Sequence, residues 1–136
     1  MLGVLMLSAL FAGLPDQAQA HHSFAMFDTG KCQVMSGTVT QVSMSYPHVW
    51  VWVINETEGK EVTWAFEGPD PSTLRVRGWA PNSIKKGDKV TIAFNPLLDG
   101  RAGGSFKQLK MPDQRVFAMP SAGLPGEFKC ELTNTK

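Results

Sequence analysis

The sequence predicts an all-β domain: a small antiparallel barrel of OB-like Greek-key form, with a small β-sandwich as the alternative. Three observations predict it. Apolar side chains alternate with period two in "HVWVWVIN" and "EVTWAFE". Turn residues punctuate the chain at short intervals, as in "NETEGK", "KKGDK", "LLDGRAGG" and "MPDQ". After residue 20, the 3.6-residue period of an amphipathic helix is never sustained beyond one short segment.

In chain order, the first element is "MLGVLMLSALFAGLPDQAQA", which reads as a secretory signal. Leu2 to Leu14 form an apolar run, Pro15 and Asp16 end it, and Ala18-Gln19-Ala20 supplies the small-x-small cleavage pattern. The run falls short of the about 20 residues that span a bilayer, so no stable membrane anchor is expected after processing. No Lys or Arg precedes it, so the start of the signal is expected further upstream. Cleavage after Ala20 leaves residues 21–136 as a single periplasmic or secreted domain beginning "HHS".

"VMSGTVTQVSMS" is the first expected strand, with Gly37 as a bulge or bend. "HVWVWVIN" carries the strongest strand signal. His48, Trp50, Trp52 and Ile54 share one face, and Val49, Val51 and Val53 share the other. After a hairpin turn at "NETEGK", "EVTWAFE" returns with Val62, Trp64 and Phe66 on one face. The proline-rich "GPDPSTLRVRGWAPNS" is an irregular connection holding one short helix near Thr73 to Arg77. "SIKKGDKVTIAFNP" turns at Gly87-Asp88 into a strand, "LLDGRAGG" is a hairpin tip, and "SFKQLKM" with "RVFAMP" forms the last strand pair. The tail "SAGLPGEFKCELTNTK" is polar and is expected to be held through Cys130.

The near-neutral formal charge, +1 for the whole chain, argues against a nucleic-acid binder, which would show a basic face or stripe. Eight Phe and four Trp give a chain of 136 residues an adequate core. In an oxidising compartment its two cysteines, Cys32 and Cys130, read as a disulfide tying the tail to the first strand. Closing so long a loop stabilises by at most about 4–5 kcal/mol in the chain-entropy account.

The combination of "HHSFAMFD" after a signal, "SYPHVWVWV", "WAFEGP", "RGW" and "SIKKGDKVTI" resembles a family of small secreted bacterial proteins catalogued as a domain of unknown function. The resemblance spans roughly His21 to Met119, and the two histidine-bearing segments are its most specific parts. Family members usually carry Asn-Pro-His where this chain has Tyr46-Pro47-His48, so a role for that Asn does not carry over. The resemblance implies a secreted β-rich domain and no particular activity.

All three histidines fall in those two segments. A His at a processed terminus offers its α-amine beside its imidazole, with pKa values near 7.7–8.0 and about 6.5, so both serve as neutral ligands near neutrality. Amine, Nδ1 and a second imidazole form a T-shaped set, the histidine brace found in copper proteins of several folds, and such nitrogens suit Cu(II). His21 with His48 is the expected copper pair, and His22 is the alternative donor to His21. Asp28, the carboxylate near the pair in sequence, is a candidate to hold an imidazole N–H, or else to stabilise its own turn. The methionines Met26, Met35, Met44, Met111 and Met119 form no Met-x-Met cluster and read as core filler.

Two rival classes stand beside metal binding. Trp50, Trp52 and Trp64 offer a face for a metal-free small ligand, and a barrel edge offers a dock for a partner in the cell envelope. Catalysis is disfavoured, because no Ser-His-Asp or Cys-His pairing suggests itself.

Overall fold

Hydrogen bonding closes five strands into a ring. A computed structural model describes residues 23–119, so the leader, His21, His22 and Cys130 lie outside the described residues. The elements are a 3₁₀ turn at Ser23–Met26, β1 (Gln33–Ser43), β2 (Trp50–Thr57), β3 (Lys60–Glu67), α1 (Pro71–Val76), β4 (Lys89–Pro96), β5 (Gly103–Lys110) and β6 (Val116–Ala118). Strand order is β3-β2-β1-β4-β5-β6, and β5 also pairs with β3. That closure, with α1 between β3 and β4, is the expected OB-like barrel.

The barrel is not wholly antiparallel. β3 and β5 run parallel where they meet, with Ala65 opposite Gly103, Phe66 opposite Gly104 and Glu67 opposite Ser105. A parallel neighbour needs a long crossover, which the proline-rich connection, α1 and β4 supply together.

β2 shows why the chain folds this way. Val49, Val51 and Val53 are fully buried, while Trp50 and Trp52 lie half-buried on the outer face. The register of β2 with β3 sets Val53 opposite Trp64 and Val51 opposite Phe66, so those rings turn inward. Phe66 and Phe94 meet edge-on at 4.9 Å, and Trp64 meets Phe94 at 5.7 Å. Leu74, Trp79 and Ile84 from the β3–β4 connection join the same core. The β2–β3 turn is Glu58-Gly59 with φ of 53° and 74°, the paired positive angles of a two-residue type I′ hairpin.

The bend expected at Gly37 lies elsewhere. Gly37 pairs in register with Val90, and the extra residue of β1 is Thr40, between Val39 opposite Val53 and Gln41 opposite Trp52. Gly37 serves close approach instead, since a Cβ there would sit 2.5 Å from the Ile54 carbonyl oxygen. A second bulge falls in β5. Phe94 faces Phe106 and Ala93 faces Gln108, leaving Lys107 as the unpaired residue.

α1 starts where its sequence says it should. Asp70 Oδ1 accepts hydrogen bonds from the Ser72 and Thr73 amides at 2.8 and 3.1 Å, and Pro71 takes the first helical position. Of the methionines, Met111 is buried in the core and Met35, Met44 and Met119 pack against it.

Candidate functional site: a histidine–carboxylate pocket at a fork in the barrel wall

One edge of β5 serves two neighbours. Residues 103–105 pair with β3, and residues 108–110 pair with β6. Between them lies the Lys107 bulge, where the Met119 amide donates to the Lys107 carbonyl at 2.7 Å. Where β3 leaves and β6 arrives, the wall opens into a pocket of about 60 Å³. Phe27, His48, Glu67, Ser105, Lys107 and Met119 are among the residues lining it.

His48 reaches this pocket because the β2–β3 ladder continues beyond β2. The Val49 amide donates to Pro69 O at 3.0 Å and the Gly68 amide donates to Val49 O at 2.8 Å. His48 Nδ1 then lies against Glu67 Oε1. The approach is not aligned as a conventional hydrogen bond, and among the described residues no other polar atom serves the buried Nδ1. Burial pushes the Glu67 carboxyl above its ordinary value, and the neighbouring His48 pulls it back only in part. Burial likewise lowers Lys107, for which no ion pair forms among the described residues.

Glu67, Ser105 and Asn95 are the buried polar residues of the described chain, and they lie side by side across β3, β5 and β4. They point away from the core, where a barrel ordinarily meets water. Here the segment Met26–Lys31 covers them. Phe27 bridges to Leu97, Asp28 N donates to Pro96 O at 2.8 Å, and Leu98 N donates to Met26 O at 2.9 Å. Asn95 Nδ2 donates to the Lys31 carbonyl at 2.6 Å. Met26–Lys31 is thereby pinned beside the His48 pocket.

The carboxylate against His48 is Glu67, which sequence reasoning did not single out. Asp28 is engaged in its own turn, paired with Lys31 at 2.9 Å and accepting from the Gly30 amide at 3.2 Å. Lys31 and that turn hold its carboxyl below the usual range. The three tryptophans do not form one surface. Trp50 and Trp52 stack on the outer face with centroids 6.1 Å apart, but Trp64 faces inward and donates from Nε1 to Asn55 Oδ1 at 3.0 Å. Trp50 lines a separate groove of about 220 Å³ with Met26, Phe27, Leu97 and Arg101. Cys32 is disulfide-bonded, and its expected partner Cys130 lies outside the described residues.

Ser105 shares the pocket with His48 and Glu67, and among the described residues it makes no hydrogen bond to His48. Among the same residues no three His, Cys, Asp or Glu side chains come together as a metal-ligand set. No described helix is long and apolar enough to cross a membrane.

Fold and pocket together define a small OB-like barrel protein with a histidine–carboxylate pair at a break in its wall. The chain belongs to the DUF6152 family, a family of unknown function, whose profile matches residues 10–107. That match takes in both histidine segments, Glu67 and Lys107 and ends before β6. None of the curated proteins matches the chain.

Proposed function

We propose that this is an exported copper-binding protein, cleaved after Ala20, whose new terminus and His48 hold the metal. The observation that carries the proposal is the setting of His48. A carboxylate facing Nδ1 favours the tautomer with its proton there and leaves Nε2 with a free lone pair, the arrangement that orients metal-bound histidines. In sequence, three residues separate the chain's other two histidines from the segment pinned over the same pocket. A fully extended chain reaches at most about 3.5 Å per residue, and Phe27, which lines the pocket with His48, stands only five residues after His22. His21 would supply amine and imidazole, with His22 as the alternative donor, and copper bound there would offer a one-electron redox centre. Binding, carrying or buffering the metal is proposed over catalysis.

A second reading rests on the stacked Trp50–Trp52 pair and the groove beside it, which offer a platform for a metal-free small ligand.

The deciding experiment is Cu(II) titration with EPR on protein secreted from a bacterial host and shown by intact mass to begin at His21. An axial signal with nitrogen couplings is expected. It should change when one residue is added before His21, and again with His48→Ala. Weak binding indifferent to both changes would overturn the copper reading and turn attention to the Trp50–Trp52 platform.

A further inference from the structure

We infer that the groove beside the Trp50–Trp52 pair binds a single-ring aromatic carboxylate, its ring against Trp50 and its anionic group on Arg101. The inference rests on the second reading above and supplies its ligand class; copper has no part in it. The groove follows from how the barrel closes. Around the ring the strands run β2, β3, β5, β4, because β3 pairs with β2 on one side and β5 on the other, and β5 pairs with β4. Trp50 stands on β2 and Leu97 just past the end of β4, so β3 and β5 form the floor between them. The floor residues Ala65, Ala102 and Gly104 carry no more than a methyl group. The groove holds about 220 Å³. That is below the about 300–1,000 Å³ of sites for drug-sized ligands and suits one ring with a short substituent.

Walls and rim are set before any ligand arrives. Trp52 stacks on Trp50 with centroids 6.1 Å apart and planes at 25°, which restrains the indole and lowers the cost of ordering it on a ligand. Met26 and Phe27 raise the opposite wall, because Phe27 bridges to Leu97 and Leu98 N donates to Met26 O at 2.9 Å. A flat ring stacks on indole with a gain beyond the area it buries. Arg101 is the only charged residue among those lining the groove, and its side chain, 69% exposed, stands at the rim. Asp99 accepts from the Arg101 amide at 3.1 Å and from Nε at 2.7 Å. That contact holds the guanidinium and leaves its two terminal nitrogens to donate elsewhere, while Asp99 itself does not line the groove. A guanidinium fork matches a carboxylate, so an apolar slot with one cation at its rim calls for a ring bearing one anionic group.

The test titrates the metal-free mature protein with benzoate, with benzamide, which keeps the ring and removes the charge, and with acetate, which keeps the charge and removes the ring. Nitrogen-detected NMR correlation spectra read the Trp50 indole N–H and the Arg101 Nε–H, assigned through Trp50→Phe and Arg101→Gln. Benzoate is expected to shift both signals and to bind about tenfold or more tighter than either analogue. Arg101→Gln, at an exposed position outside the strands, should abolish the preference for benzoate over benzamide. Trp50→Leu should abolish the preference for benzoate over acetate, and the wild-type comparison of the three probes holds whatever the stability of that variant. Benzamide binding as tightly as benzoate would overturn the anionic end of the ligand and leave the platform reading standing. Acetate binding as tightly as benzoate would overturn the aromatic end. If neither ring compound moved the Trp50 signal, the platform reading itself would fall, and this inference with it.

Discussion

Gly37 sits where β1 passes β2 with no room for a side chain. A Cβ there would meet the Ile54 carbonyl oxygen at 2.5 Å and Val53 Cγ1 at 2.6 Å, and backbone in a closed barrel cannot step aside. Gly37→Ala is expected to cost about 2 kcal/mol, as overpacking typically does. It should appear as a lower urea midpoint with an unchanged slope, and an unchanged midpoint would show that the two strands separate there freely. Glu67 makes a different demand. Glu67→Gln keeps the shape of the side chain and removes its charge. If the carboxylate orients His48 for a metal, Cu(II) affinity should fall by about ten- to a hundredfold in competition titrations, with the circular dichroism spectrum retained. No loss would mean that packing alone orients the ring. His48 was legible in the sequence as the histidine opening an aromatic strand, but Glu67 was not. "WAFE" presents it as one more strand-end carboxylate, and only the pairing of Trp50 with Glu67 brings it beside His48.

The strands themselves were legible where period two was unbroken. In β2 the three valines inside and the two tryptophans outside follow directly from alternation. The bulges left a quieter trace. Inward residues Val39 and Val42 in β1, and Phe106 and Leu109 in β5, stand three apart where alternation requires an even spacing, and the extra residue lies between them. The parallel closure of β3 on β5 left none, because it depends on the path of the intervening chain and not on any local pattern. α1 was placed to within a turn by its prolines, and its cap makes it sensitive to acid. Hydrogen bonds from Thr73, side chain first and backbone second, hold the Asp70 carboxyl below its ordinary value. The folded state therefore favours the ionised form. That stabilisation is full above the unfolded value near about 4 and is lost as pH falls through the lower folded value. Asp70→Asn still caps the helix but does not titrate. Native protein should be the more stable of the two near neutrality by urea denaturation, and the gap should close below about pH 4. A gap independent of pH would show that the charge on Asp70 contributes nothing to folding.

The whole molecule joins a closed barrel to a segment laid across its outside. Barrel closure needs only β1 to β5, whereas Met26–Lys31 is held by a few backbone bonds, the Asn95 amide and the ring of Phe27. This segment meets the buried polar row of the wall, through the Lys31 carbonyl at Asn95 and the Phe27 ring beside Glu67 and Ser105. The two parts should therefore come apart in stages. Phe27 is 6% exposed and lines both the His48 pocket and the Trp50 groove, so its ring is the main apolar tie. Phe27→Ala removes contacts ordinarily worth about 3 kcal/mol, yet most of that loss should be spent on releasing the segment while the barrel stays closed. Hydrogen exchange distinguishes the two fates. The amides of Asp28 and Leu98, which hold the segment down, are expected to exchange much faster in the variant, while those of β2 and β4 keep their protection. Uniformly faster exchange across the barrel would mean that the segment is part of one cooperative unit. If the copper reading holds, Cu(II) affinity should in the staged case fall along with the protection at Asp28, because donors on a released segment cost more entropy to bring to His48, and that cost must be recovered from the metal bonds.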